Sequence, residues 1–311
     1  MAPCTTIIKI SIIPYLFALL ILIIISNNKT KIKNEIKKPT ELYRRDLEGK
    51  LLFMRHGETN FNIDKNNKKR RVNKDYIDCR LNEKGIEQAK SRQEILNTLS
   101  FEKVYVSPFY RALQTLTYSL SNHPNKDNII AVVHPLVSEI GNCINDYVLD
   151  IKQSKKDFNM NSPIKVDWSL FDEYVKGIKY DENFYYFENF DDFEENEKNK
   201  IYEELKQKYD NGRMEEFKIG LSNLAKLRFQ KKKRFESLKY AQERFKRFLN
   251  FIKTHFKKSL KKTKEKIFVV SHSCYMRIGT DKIPYESKEI QQYHDNSYFP
   301  QNCEILSYFV Y

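Results

Sequence analysis

The chain is organised around one stretch, Leu51-Leu52-Phe53-Met54-Arg55-His56-Gly57-Glu58-Thr59-Asn60-Phe61-Asn62. Four apolar residues run directly into a polar turn, which predicts a buried strand with functional groups at its carboxyl end. There His56 follows Arg55, whose guanidinium keeps its charge, and Gly57 permits a tight backbone turn. An imidazole in this setting is suited to attack a phosphorus atom, because the neighbouring donors can hold the negative oxygens. The alternative is a strand end with a hydrogen-bonded, purely structural histidine.

Several segments of the chain carry a resemblance to a known family, and the first two are the most complete. Arg55-His56-Gly57-Glu58-Thr59-x-x-Asn62 resembles the Arg-His-Gly-x-Thr-x-x-Asn signature of the histidine phosphatase superfamily, phosphoglycerate-mutase-like branch, at every fixed position. Ser107-Pro108-x-x-Arg111-Ala112-x-Gln114-Thr115 resembles the family's Ser-Pro-x-x-Arg-Ala-x-Gln-Thr segment. Arg111 falls in the first turn of a predicted helix, where the helix dipole favours an anion. The alternative for Arg111 is a surface arginine.

Two later residues complete the predicted site. Ser271-His272 resembles the family's Val-Ser-His-Gly segment, which supplies a second histidine. Ser273 replaces the usual glycine there, so the local backbone shape is open. Glu139 ends a Leu-Val-Ser-Glu sequence that is offset by one residue from the family's Leu-x-Glu spacing. The alternative for Glu139 is an ordinary loop carboxylate.

Apolar runs at 51–54, 104–106, 129–133 and 267–270 predict four buried strands, and helical patterns alternate with them. This alternation predicts an α/β fold, a three-layer α/β/α sandwich with a mainly parallel sheet, which the resemblance makes phosphoglycerate-mutase-like. A hydrophobic N-terminal helix is expected to precede it. Because parallel sheets carry their sites beyond the carboxyl ends of the strands, we expect the four groups that follow these strands to converge. They are His56, Arg111, Glu139 and His272.

The resemblance implies an enzyme, a phosphomonoester hydrolase of the histidine acid phosphatase type. In that scheme His56 attacks phosphorus and forms a phosphohistidine, and Glu139 protonates the leaving alcohol. The groups that hold the phosphate oxygens are Arg55, Asn62, Arg111 and His272. No metal or cofactor is expected, because the arginines supply the positive charge. The expected partner is a phosphorylated substrate, either a small molecule or a phosphoprotein.

Two alternative functions stay open. A phosphoglycerate mutase would share the phosphohistidine, but the mutases of this branch usually carry an Arg-Phe-x-Gly-Trp segment after the first motif. The corresponding region here reads Lys69-Arg70-Arg71-Val72-Asn73, which lacks that segment. A catalytically degenerate, membrane-tethered binding protein is the other alternative, and the joint presence of both histidines and both arginines argues against it.

Composition excludes several other classes of protein. Glycine is scarce, with 8 residues in 311, and neither of the glycine-rich nucleotide-binding patterns occurs. The net charge of +14 is spread over several lysine-rich stretches without a nucleic-acid-binding motif, so we interpret it as a solvated basic surface. The 5 cysteines are odd in number and lack paired spacing, which argues against a disulfide framework or a zinc site.

The N-terminal region has a different character from the rest. Residues 7–25 are almost wholly apolar, so 1–28 is predicted to be a transmembrane anchor, or alternatively a cleaved signal segment. Residues 29–46 are predicted to be a basic linker, whose lysines favour a single-pass membrane protein with a cytosolic catalytic domain. A cleaved signal would instead imply a secreted protein. The phosphatase domain is predicted to cover 47–311.

An insertion interrupts that domain at about 152–220. Residues 181–197 are acidic and aromatic, which fits either a cap over the site or a partly disordered loop. Trp168 is interpreted as packing within this insertion. An apolar stripe from 235 to 256 predicts a long amphipathic helix, and the chain after 300 leads into an edge strand. The remaining histidines, expected at the surface or in loops, are His123, His134, His255 and His294.

Overall fold

The computed structural model describes residues 47, 49–64, 67–141, 143–190, 193–230, 236–257, 263–280 and 300–308. These residues form one sheet of six strands in the order β4-β3-β2-β5-β1-β6. The strands are β1 (Leu51–Arg55), β2 (Phe101–Val106), β3 (Ile130–Val133), β4 (Lys165–Asp167), β5 (Lys266–Ser271) and β6 (Ile305–Tyr308).

All neighbouring strands pair in parallel except β1 and β6, which are antiparallel. The predicted α/β fold with a mainly parallel sheet is therefore confirmed. Successive residues of β1 point to opposite faces, and both faces are buried: Leu52 and Met54 join one apolar cluster, Leu51 and Phe53 the other. This double burial explains why the strands read as continuous apolar runs.

Helices cover both faces of the sheet. One face packs against α2 and α4, and the other against α9 and α10, as their buried apolar residues show. The ten α-helices within the described ranges are α1 (Asn60–Ile63), α2 (Glu83–Lys90), α3 (Gln93–Leu96), α4 (Tyr110–Leu120), α5 (Ile151–Asn161), α6 (Ser169–Lys176), α7 (Glu195–Asp210), α8 (Met214–Gln230), α9 (Leu238–Phe256) and α10 (Ser273–Thr280).

The predicted amphipathic helix is α9, which begins at Leu238, and Phe235 lies outside the described residues. The hydroxyl of Ser237 accepts a hydrogen bond from the Tyr240 N–H and caps the helix. Its buried apolar stripe is Ala241, Phe245, Phe248 and Ile252. The predicted edge strand is β6, which runs antiparallel to β1.

The insertion is a folded element in its described part, and not a disordered acidic loop. Its acidic, aromatic stretch forms a 3₁₀ helix, Glu182–Asn189, whose rings are buried against α7 and α8. Trp168 is buried with its ring edge-on to Phe171, as expected. The insertion also contributes β4, a short polar strand without an apolar signal in the sequence.

Helix α8, which begins in the insertion and continues past it, contacts the basic stretch that follows the first motif. This stretch forms a 3₁₀ helix, Lys68–Val72. The hydroxyl of Ser222 donates to the Val72 carbonyl, and Lys74 pairs with Glu215. The insertion and the basic stretch therefore behave as one packed unit.

The predicted N-terminal helix and basic linker lie outside the described residues. Among the residues that are described, no helix is both long and apolar enough to cross a bilayer. The anchor, and the localisation that depends on it, stay predictions.

Candidate active site

The candidate site lies at the carboxyl edge of the parallel sheet, as expected from the strand ends. The first residue after each of three strands continues the backbone ladder. The His56 N–H donates to the Ser271 carbonyl (3.0 Å), the Ser107 N–H to the Val270 carbonyl (3.0 Å), and the His134 N–H to the Val106 carbonyl (2.9 Å). The side chains of these residues are thus anchored to the rigid sheet.

His56 is buried, and one contact settles its tautomer. Its Nδ1 lies 2.7 Å from the Gly57 carbonyl oxygen. Because a carbonyl oxygen only accepts, Nδ1 carries the proton and Nε2 keeps its lone pair. Burial, followed by the charges of Arg111 and Arg55, holds the pKa of His56 well below its ordinary value. The imidazole is therefore neutral at pH 7, as a nucleophile must be.

His272 lies beside His56, with ring centroids 5.3 Å apart and the planes tilted by 58°. Its Nε2 lies 2.7 Å from the Ser107 hydroxyl, while its buried Nδ1 has no hydrogen-bond partner among the described residues. Burial and Arg111 lower its pKa well below the ordinary value. When protonated, this buried ring nitrogen next to His56 can donate a hydrogen bond to an oxygen of a bound anion.

The serine that replaces the family's glycine leaves the backbone unstrained. Ser273 begins α10. Among the described residues, positive φ values in non-glycine residues occur at Asp78 and Cys303 and not at Ser273. The open question about backbone shape after His272 is thereby answered.

Arg111 is buried in the first turn of α4, and its guanidinium is held in place by residues 145 and 146. Its Nη1 donates to the Asn145 carbonyl (2.6 Å), and its Nη2 pairs with the Asp146 carboxylate (3.1 Å). Its Nε is buried without a partner among the described residues. Asp78 supports the same turn by accepting from the Tyr110 N–H (3.1 Å). Arg111 is therefore preorganised, but it shares its charge with Asp146.

Arg55 and Asn62 differ in how their side chains are hydrogen-bonded. Arg55 is buried, and its Nη1 donates to the Pro300 carbonyl (2.8 Å). The Asn62 side-chain oxygen accepts from the Thr59 N–H and hydroxyl at 3.0 and 3.1 Å, so only its NH₂ group is left for a ligand. Among the described residues, Asn62 makes no hydrogen bond to the other five predicted side chains.

Glu139 lies at the N-terminus of α10, the helix that directly follows His272. Its Oε1 accepts from the Ile140 and Tyr275 N–H groups (2.9 and 3.0 Å), and its Oε2 from the Cys274 N–H (3.3 Å). Burial outweighs these bonds and, with the negative charge of Asp146, raises the pKa of Glu139 to about 7. The carboxyl can thus both give and take a proton near neutral pH.

Sequence reasoning missed several polar residues around the site. Ser107 stands out in the sequence only as part of a motif, and Arg244 and Glu236 do not stand out, although both are buried. Arg244 could have been found as a charge on the buried stripe of α9, three residues after Ala241 and four before Phe248.

The other histidines that the structure describes lie in loops or at the surface, as expected, but the two in loops are not exposed. His123 and His134 are buried, each held by hydrogen bonds to backbone groups. His255 is exposed on α9, and His294 lies outside the described residues. Within the described ranges, no group of three or more histidine, cysteine or acidic residues could hold a metal ion.

The part of the chain that matches a known family includes the first motif and the residues after it. The family model described as "Histidine phosphatase superfamily (branch 1)" matches residues 51–140. Fructose-2,6-bisphosphatase TIGAR B of Danio rerio is 34% identical over 91 residues, which is 29% of this chain and 34% of that protein. The match thus spans about one third of that relative's length.

Solved structures of phosphatases resemble the chain more loosely. A mycobacterial glucosyl-3-phosphoglycerate phosphatase is 12% identical, with a TM-score of 0.41, covering 83% of this chain and 88% of that one. The alpha-ribazole phosphatase of Shigella flexneri is 15% identical, also with a TM-score of 0.41, covering 82% and 87%. The order and mainly parallel pairing of the six strands, and not these likenesses, define the fold. The likeness to the histidine phosphatase superfamily, branch 1, comes from the sequence match over residues 51–140.

Proposed function

We propose that this protein hydrolyses phosphomonoesters through a phosphohistidine on His56. The observation that carries the proposal is the His56 tautomer: Nδ1 donates to Gly57, so the Nε2 lone pair is available in a buried, neutral ring. A second buried imidazole and two buried arginines surround it, which suits a dianionic phosphoryl group.

The reaction follows in two displacements. In the first, Nε2 of His56 attacks phosphorus, the bond from phosphorus to the ester oxygen breaks, and the Glu139 carboxyl gives its proton to the leaving alcohol. In the second, water attacks the phosphohistidine, Glu139 takes a proton from that water, and the phosphorus–nitrogen bond breaks. Inorganic phosphate leaves, and both residues return to their starting states.

Electrostatic stabilisation of the transferring group is assigned to four side chains. Arg55 and Arg111 neutralise the equatorial oxygens, with His272 Nδ1 and the Asn62 NH₂ group as neutral donors. Because Asp146 already pairs with Arg111, the substrate phosphate competes with a carboxylate for that guanidinium. No step requires a metal ion.

The substrate is expected to be a small phosphorylated molecule. The matched relative is named as a sugar bisphosphatase, and the basic helix Lys68–Val72 packs against the segment Ile144–Asp146 that holds Arg111. No observation favours the mutase, whose Arg-Phe-x-Gly-Trp segment is absent from the sequence.

The direct test is to trap the intermediate. Rapid acid-free quenching of the wild-type protein with a ³²P-labelled aryl phosphate should yield label that is stable to base and labile to acid. Peptide mapping should place the label on His56, and His56→Ala should carry none. Label on serine or cysteine would contradict the proposal, as would turnover by His56→Ala.

A further inference from the structure

Arg244 is a buried charge that the proposed reaction does not use. It lies on α9 and is 2% exposed. A guanidinium has five N–H donors, and here all five are used. Two bind the Glu236 carboxylate, Nε at 2.7 Å and Nη2 at 2.8 Å. The other three reach backbone carbonyls, those of Leu136 (2.8 Å), Ser138 (2.9 Å) and Glu139 (3.3 Å).

These contacts reach the backbone that carries the Glu139 side chain and a residue that donates to its carboxyl. The three carbonyls belong to the short segment that ends at Glu139, so Arg244 fixes the backbone from which that side chain starts. The Arg244 guanidinium also lies over the Tyr275 ring, 4.8 Å from its centroid. The Tyr275 N–H is one of the donors to the carboxyl. Arg244 thus contacts both the backbone of Glu139 and Tyr275, the residue of α10 whose N–H donates to the Glu139 carboxyl.

We propose that Arg244, neutralised by Glu236, is a positioning residue that holds the Glu139 carboxyl where it can reach the leaving oxygen. The inference rests on the proposed function, in which Glu139 is the proton donor. A general acid must lie within hydrogen-bond reach of the oxygen it protonates, and a displacement of about 1 Å can cost about 100-fold in rate.

The arrangement has features that stability alone does not require. A buried ion pair contributes little to stability compared with an apolar pair of the same volume. The planar fork of an arginine, however, can bind a carboxylate and several carbonyls at fixed angles, which lysine cannot reproduce. The pair therefore suits the fixing of a backbone segment better than the filling of a core.

The test compares two esters that differ in their need for a proton. Phenyl phosphate has a poor leaving group, whereas 2,4-dinitrophenyl phosphate leaves without protonation. We would measure kcat/KM for both with Arg244→Lys, with the double variant Arg244→Met/Glu236→Met, and with Glu139→Gln as reference. Arg247→Lys, an exposed arginine one turn along the same helix, is the matched control.

We expect both Arg244 variants to lose roughly 30- to 100-fold on phenyl phosphate but less than about 3-fold on the dinitrophenyl ester. Glu139→Gln should show the same selectivity, and Arg247→Lys should be unchanged on both esters. An equal loss on both esters, or no loss, would overturn the role of Arg244. If both variants failed to fold by circular dichroism, Arg244 would be assigned to stability and the inference would also fail.

Failure of the proposed function gives a different pattern. In that case the wild-type protein would hydrolyse neither ester, or Glu139→Gln would lose activity equally on both. The role of Arg244 is wrong only if the wild type and Glu139→Gln behave as expected and the Arg244 variants do not.

Discussion

The loops after β1 and β3 each begin with a buried histidine, yet the two rings are prepared for different tasks. His56 and His134 are both 3% exposed, and both donate a backbone N–H to the neighbouring strand. Burial lowers the pKa of both imidazoles, for His134 to about 3. Sequence position, burial and charge state therefore do not distinguish them.

The difference lies in the atom that faces Nδ1. In His56 that atom is the Gly57 carbonyl oxygen, which leaves the Nε2 lone pair available. In His134, Nδ1 instead accepts from the Leu136 N–H at 3.2 Å, so Nε2 must carry the proton. The His134 ring packs edge-on against Phe248 and Phe251. One backbone partner thus separates a candidate nucleophile from a helix cap.

The largest expected effect is the difference in activity between substitutions at these two histidines. His56→Ala should lose at least about 10⁴-fold in kcat, roughly 5 kcal/mol or more of barrier, because the attacking atom is gone. His134→Asn keeps an acceptor for the Leu136 N–H and should stay within about 3-fold of wild type. Steady-state kinetics on an aryl phosphate, with circular dichroism as a folding control, measures both. Comparable losses of activity at the two positions would contradict the different roles of His56 and His134.

The second effect is a pH dependence that belongs to Glu139 and not to the histidines. With its pKa raised to about 7, Glu139 loses the transferable proton above that pH, so kcat/KM for phenyl phosphate should fall about tenfold per unit. No loss from imidazole protonation is expected near the ordinary histidine value of about 6.5, because His56 stays neutral there.

The alkaline fall should be absent with 2,4-dinitrophenyl phosphate and in Glu139→Gln. Its persistence in either case would mean that another group titrates.

The smallest effect concerns stability in acid and isolates His134. Its pKa is about 3 in the folded protein and about 6.5 when unfolded, so below pH 6.5 the unfolded chain binds a proton that the folded protein does not. The free energy of unfolding should therefore fall by about 1.6 kcal/mol between pH 6.5 and 5 from this residue alone. Above about pH 7.5 both states hold the ring neutral, and the contribution no longer changes.

Urea unfolding of wild type and His134→Asn at both pH values measures this contribution. The variant should lose about 1.6 kcal/mol less than wild type over that interval. Equal losses would show that His134 takes up its proton in the folded state.

The sequence predicts the parts of the fold that have a strong local signal. The central strands are apolar throughout because both faces are buried, and polar residues directly after them, such as His56 and His272, mark the edge of the sheet. By contrast, β4 is short, polar and half-buried, so nothing in its sequence indicates a strand. The aromatic residues of Glu182–Asn189 follow no helical or strand period, which left the insertion unassigned.

The site could be predicted only in outline for a related reason. Motifs indicate which residues follow strands, but not which backbone atoms they meet. The proton position on His56 depends on one carbonyl, and the surroundings of Glu139 depend on α10 and α9, both more than a hundred residues away in sequence. Such long-range contacts leave no local pattern in the sequence.

The position of β1 inside the sheet has a consequence for folding while the chain is being synthesised on the ribosome. Its two edges pair with β5 and β6, so that Leu51 meets Ile267 on one side and Tyr308 on the other. At a synthesis rate of about 5–20 residues per second, this apolar strand waits roughly 10–40 seconds for its first partner. During that interval an unpaired hydrophobic strand is open to aggregation, and we expect chaperones to bind it before the sheet can close.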